Sequence, residues 1–149
     1  MNLVSAVGGT KKQRELAEDV AYFCIEELLP RYRTLDIELC LNKCGDMGAS
    51  GFCYAVETER DFTVEVDKRI YKVDPDEFIV TICHEMVHVM QFAKGLLLDR
   101  VYPKKLGYRQ LWKGKDYSKT PYSKQPLERQ AYRMQNKLAK KYKEKKCLT

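Results

Sequence analysis

Asp74-Pro75-Asp76-Glu77-Phe78-Ile79-Val80-Thr81-Ile82-Cys83-His84-Glu85-Met86-Val87-His88-Val89-Met90-Gln91-Phe92-Ala93-Lys94-Gly95 carries the strongest structural signal in the chain. It opens as a helix opens. Asp74 suits the N-cap, where a short carboxylate accepts from an orphan backbone N–H, and Pro75 suits the first helical position, where no N–H is needed. Asp76 and Glu77 place negative charge at the positive end of the helix dipole. Gly95 after Lys94 is a stop signal, so the predicted helix runs over about 75–94. Phe78, Ile79, Val80, Ile82, Cys83, Met86, Val87, Val89, Met90 and Phe92 make it apolar on nearly every side, and such a helix belongs inside a domain.

That interior helix holds both histidines of the chain, in the word His84-Glu85-Met86-Val87-His88. In shuffled sequences of this composition the word arises about once in a thousand, so its spacing carries information. Residues four apart lie one turn apart on the same face, which lets both imidazoles reach one ion. Glu85 sits about 100° around the helix, close enough to touch a metal-held water without joining the ligands. Two imidazoles buried without a shared purpose would each need a hydrogen-bond partner. The residues therefore point to a zinc-hydrolase arrangement of two ligands and a general base.

Catalytic zinc takes three protein ligands and keeps a position for water. With no histidine left, the third ligand has to be Glu, Asp or Cys. Glu128 is the first choice. It falls in the first turn of a predicted helix beginning at Gln125-Pro126-Leu127, it is an isolated acid in a basic region, and small Ala131 lets its helix approach closely. Asp116, Asp99 and Cys147 are the rivals. Thr81 and Gln91, one turn before His84 and nearly one turn after His88, are candidates to orient the imidazoles.

The rest of the chain bounds the context. Its 149 residues, 44% of them hydrophobic, suffice for one domain over 1–149 and are too few for two ordinary ones. No apolar stretch reaches the length of a membrane span, and Met1–Thr10 lacks the pattern of a signal peptide, so the expected location is cytoplasmic. The six cysteines then read as reduced thiols, Cys24 and Cys83 within apolar helical patterns. A thiolate site from Cys40, Cys44 and Cys53 with Cys147 is the alternative to ordinary half-buried thiols. The net charge of +6 is uneven: residues 1–102 carry 12 basic and 18 acidic side chains, residues 103–149 carry 15 and 3. That basic C-terminal part either attracts nucleic acid, an anionic surface or an acidic protein, or is a solvated helix face plus a frayed lysine tail, Lys137 to Lys146.

The expected fold is α+β. Thr10 to Leu29 reads as an N-terminal helix ended by Pro30. Leu35–Leu39, Gly51–Val56 and Phe62–Val66 read as three strands of a small mixed or antiparallel sheet. Residues 95–124, with Pro103, Gly107, Gly114 and Pro121, read as a long irregular rim rich in Tyr102, Tyr108, Trp112, Tyr117 and Tyr122. A C-terminal helix runs from Pro126 to about Tyr142.

The His84–His88 word followed by Gln91, together with Trp112-x-Gly114-x-x-Tyr117, Tyr122 and Pro126-Leu127-Glu128-x-Gln130-Ala131, resembles the minimal zincin metallopeptidases of the SprT-like group, especially the short proteins of this type in bacteriophages. Gly48-Ala49-Ser50-Gly51-Phe52-Cys53 and Phe62-Thr63-Val64-Glu65-Val66 resemble that group's edge-strand region. The likeness covers about residues 35–135. It implies a minimal zincin-like domain, one Zn2+ ion held by His84, His88 and Glu128, and, for a phage-encoded chain, the host-cell cytoplasm. Many SprT-like proteins use a third histidine and a C-terminal cysteine zinc ribbon; this chain has neither and looks closer to the glutamate-ligand branch. The chemistry expected is peptide hydrolysis, with Glu85 as general base and Tyr117 or Tyr122 as donor to the carbonyl oxygen. An extended peptide or protein substrate would pair with strand Gly51–Val56 or Phe62–Val66. The alternative expectation is a basic nucleic-acid- or protein-binding module with a structural metal and no catalysis.

Overall fold

The computed structural model describes residues 1–47, 50–55, 60–102 and 107–148, with the backbone alone at 46–47, 100–102, 107–109 and 148. Gly48, Ala49, Val56 and Pro103, used above, lie outside the described residues, as do the side chains of Tyr102 and Tyr108. The architecture is α+β: four helices, a mixed four-stranded sheet and a small antiparallel sheet among the described residues.

The first strand, β1 (Leu3–Gly8), leads through Gly8 and Gly9, both at positive φ, into helix α1 (Lys11–Leu28). Thr10 caps α1 reciprocally: its Oγ1 accepts from Gln13 N at 3.2 Å, and Gln13 Oε1 accepts from Thr10 N at 2.9 Å. The chain returns as β2 (Asp36–Asn42), which pairs in parallel with β1, so β1-α1-β2 is a crossover unit. Next come β3 (Gly51–Ala55) and β4 (Asp61–Asp67), antiparallel to each other, with β4 parallel to β2. The strand order β1-β2-β4-β3 makes β3 an edge. Four strands therefore replace the three expected. β1 escaped the sequence reading because its alternation is poor and its partner lies a whole helix away.

A short helix, α2 (Arg69–Val73), precedes α3 (Pro75–Ala93). Asp74 is the N-cap of α3, its side chain accepting from Asp76 N at 3.0 Å, and Gly95 at φ +74° ends the turn beyond it. Fifteen of the nineteen residues of α3 are buried. One face of the sheet, through Val4, Ile37, Leu39, Leu41, Phe62, Val64 and Val66, packs with Val20, Cys24, Ile82, Met86 and Val89 from α1 and α3 in a continuous core. At roughly 1.5–3 kcal/mol for each fully buried aliphatic side chain, this burial is what holds α3 in place. Cys24 and Cys83 meet there as reduced thiols, Sγ to Sγ 3.8 Å.

Residues 95–124 depart from the irregular rim expected. Strands β5 (Leu97–Tyr102) and β6 (Gly107–Trp112) pair antiparallel, and β7 (Lys115–Asp116) adds to β6. Lys113 at φ 49° and Gly114 at φ 83° form the two-residue turn with positive φ at both positions that suits a tight hairpin. Helix α4 (Pro126–Leu148) packs across α3. It continues past Tyr142, so the lysine segment is helical rather than frayed. Lys141 pairs with Glu27, Lys145 with Glu26 and Lys146 with Asp19 on α1, and Lys143 with Asp76 on α3. Tyr142 OH donates to Asp19 at 2.7 Å. No described helix is long and apolar enough to cross a membrane.

Candidate metal centre

Three elements converge on one cleft of about 590 Å3: the central turns of α3, the first turns of α4 and the start of edge strand β3. α3 supplies His84 and His88 from adjacent turns, with ring centroids 5.0 Å apart. α4 supplies Glu128 from its first turn, where Pro126 begins the helix. The three residues are 6–7% exposed, and their ligand atoms lie within 4.8 Å of one another. Two of the contacts are shorter: Glu128 Oε1 is 3.0 Å from His84 Nε2 and 3.2 Å from His88 Nε2. Tetrahedral ligands at zinc bond lengths stand ~3.4 Å apart, so the donor set fits an ion with little adjustment.

The protons decide what lies between these atoms. Gln91, on the same helix, donates its Nε2 to Leu127 O at 3.0 Å and to Gln130 Oε1 at 2.9 Å. Its Oε1 therefore faces His88 Nδ1, at 2.8 Å, and that nitrogen must be the donor. His84 Nδ1 meets Gln135 Oε1 at 2.7 Å in the same way. With both Nδ1 atoms committed, both Nε2 atoms turn lone pairs toward a carboxylate oxygen. Acceptors this close need a cation between them, either a proton or a metal ion. Burial opposes charge on His88, but the hydrogen bond and charge of Glu128 outweigh it and raise its pKa. Burial likewise works against ionised Glu128, yet His84 and His88 hold it down at about 2.

Glu85 shares the cleft, 6% exposed, and its pKa is raised, chiefly by burial, with His88 and His84 partly offsetting this. Gly51 covers it from β3. A Cβ on Gly51 would stand 3.1 Å from Glu85 Cγ and Oε2 and 2.8 Å from the Glu65 carbonyl, so the strand reaches the carboxylate only because that position is glycine.

Tyr122 comes to the same site from the turn before α4, and its OH donates to Glu128 Oε1 at 2.8 Å. Burial first, then Glu128, push its pKa up. Tyr117 does not come with it. Its ring lies partly buried against the core under Lys115 Nζ, 5.1 Å away, its carbonyl accepts from Gln125, and it is not among the cleft residues. The rival ligands are elsewhere too. Asp99 pairs with Gln110 across the hairpin, Asp116 caps Ser118 N, and Cys147 is exposed near the end of α4. Cys40, Cys44, Cys53 and Cys147 form no cluster; among the described residues the only metal-type group is His84, His88 and Glu128. Thr81 does not orient a ring, for its hydroxyl donates to Glu77 O at 2.9 Å within α3. Gln135 and Tyr132 were not anticipated; Tyr132 lies 4.8 Å from the His84 ring, centroid to centroid. Their signal was periodicity, since 128, 132 and 135 fall on one face of a helix.

Compared with protein-family models, curated proteins and solved structures, the chain matches none.

Proposed function

We propose that the chain is a zinc-dependent metallopeptidase with a zincin-like fold, of the SprT-like kind its motifs resemble. The observation that carries the reading is the single Glu128 oxygen that faces two Nε2 lone pairs, beside a buried glutamate of raised pKa. His84, His88 and Glu128 would hold the ion, and zinc suits two imidazoles with a carboxylate. When bound, it supplies a Lewis acid that makes water acidic near neutral pH.

The chain's own residues then divide the work. Glu85 takes the proton of the attacking water and returns it to the leaving amine, a role that a carboxyl of raised pKa fits. Tyr122, 55% exposed, places its hydroxyl at the site against Glu128 Oε1; turned away from that oxygen, the same O–H donates to the substrate carbonyl oxygen. Among the described residues β3 has no strand on its outer side along the cleft and can align an extended peptide; β4 is paired on both sides and cannot. A purely structural metal fits less well, because structural sites are closed and this one opens on the cleft.

The test is metal content and hydrolysis measured together. The purified protein is expected to carry one Zn2+, to cleave an unstructured protein such as casein, to lose activity to a chelator and to regain it with Zn2+. Glu85→Gln keeps the ion and loses hydrolysis at least about 100-fold. Full activity in that variant, or a parent that binds no divalent ion, would sink the proposal.

A further inference from the structure

Gln91 is fully buried, and its oxygen and both of its N–H groups are engaged in hydrogen bonds. Its oxygen accepts from His88 Nδ1, while its two N–H groups donate to Leu127 O and Gln130 Oε1. Leu127 and Gln130 bracket Glu128 on the first turn of α4. One amide on α3 thus ties one candidate ligand to the backbone that carries another, and no other described side chain bonds both. Holding a histidine is common for a neighbouring polar group; holding the opposite ligand's helix turn is a separate task.

We propose that Gln91 is a positioning residue whose donor side sets Glu128 against the two imidazoles, with its acceptor side fixing the His88 tautomer. The inference rests on the metal-centre reading above. Its chemical content is that an amide is required. A carboxylate at position 91 would still accept from His88 Nδ1, and carboxylate partners generally strengthen a ligating histidine. It has no N–H for the Leu127 carbonyl, and although Gln130 can turn its own amide to donate, the backbone oxygen cannot turn away, so a carboxylate would set oxygen against oxygen there and release the Glu128 turn. If Gln91 served only to orient His88, glutamate would do as well or better. If it registers Glu128, glutamate fails.

The experiment compares the full-length parent, Q91E, Q130M and E128A. Zn2+ affinity is read by competition with a chromophoric chelator, Co2+ substitution by visible absorption, and the metal-free proteins by thermal unfolding. Q91E is expected to bind Zn2+ about 10–100-fold more weakly than the parent, the range for outer partners of metal ligands. Its Co2+ spectrum should move toward that of E128A, a signature that general loosening of the fold would not produce. Q130M leaves the His88–Gln91 bond intact and removes one acceptor on α4, so it is expected to weaken Zn2+ by about 3–10-fold, less than Q91E. Q91E binding Zn2+ as tightly as the parent with an unchanged Co2+ spectrum overturns the inference; if Q91E does not fold, unchanged affinity in Q130M does so. A parent that binds neither ion would instead defeat the metal-centre reading.

Discussion

Glu85 and Glu128 are buried to the same degree in the same cleft, yet their surroundings drive them in opposite directions. For Glu85 the loss of water dominates and favours the proton. For Glu128 two imidazoles and a tyrosine hydroxyl stabilise the anion on one oxygen. Opposed pKa shifts in neighbouring carboxyl groups would let one site keep the proposed base and the candidate ligand distinct. Removing Glu128 should therefore act on the metal: Glu128→Ala is expected to weaken Zn2+ by more than the ~10–100-fold of outer-partner changes, measured by chelator competition. Tyr122→Phe removes a donor and little volume. It is expected to lower kcat by about 10–100-fold with KM within about threefold, read from steady-state kinetics on a peptide. A matched fall in Tyr117→Phe would show that the carbonyl donor has been misassigned.

At the scale of elements, the site depends on how closely β3 approaches α3. Gly51 leaves no room for a Cβ between the Glu65 carbonyl and the Glu85 carboxylate. Gly51→Ala is expected to push the strand or the carboxylate aside by a few tenths of an ångström, cutting kcat/KM about tenfold or more while Zn2+ content stays at parent level. Loss of zinc with activity would mean that α3 itself had shifted. The α3 cap and stop were legible because a capping Asp, a Pro and a Gly act over a few residues. The hairpin β5-β6 was not, because its strands mix charged and apolar residues, and only pairing with each other and packing of Leu97, Leu111 and Trp112 make them regular. The extent of α4 was also hidden. A lysine run reads as a frayed tail until the acids of α1 are known to face it.

For the whole molecule, one polar junction outside the cleft contributes to stability against acid. Asp67, at the end of β4, accepts from Gly45 N and pairs with Arg69 at 2.7 Å, and Arg69 holds its carboxyl at about 2 against the opposing effect of burial. The unfolded chain has an ordinary Asp near ~3.9, so this stabilisation is complete above about pH 4 and disappears as pH falls toward 2. Because Arg69 is half exposed, the contribution is about 1–2 kcal/mol. Asp67→Asn is expected to unfold at lower urea than the parent at pH 6, with the two converging near pH 2. A difference that persists at pH 2 would show that the junction acts by shape and not by charge.

By itself the sequence determined the pieces whose physics is local: the α3 helix with its cap and stop, the spacing that puts His84, Glu85 and His88 on adjoining turns, and the candidacy of Glu128 in the first turn of its helix. Tertiary structure alone decided which tyrosine reaches Glu128, that Gln91 and Gln135 hold the imidazoles, that β3 is an edge and β4 is not, and that Lys141, Lys143, Lys145 and Lys146 of α4 pair with acids of α1 and α3. Those outcomes depend on surfaces meeting across tens of residues, where no periodicity or cap in either segment encodes the partner.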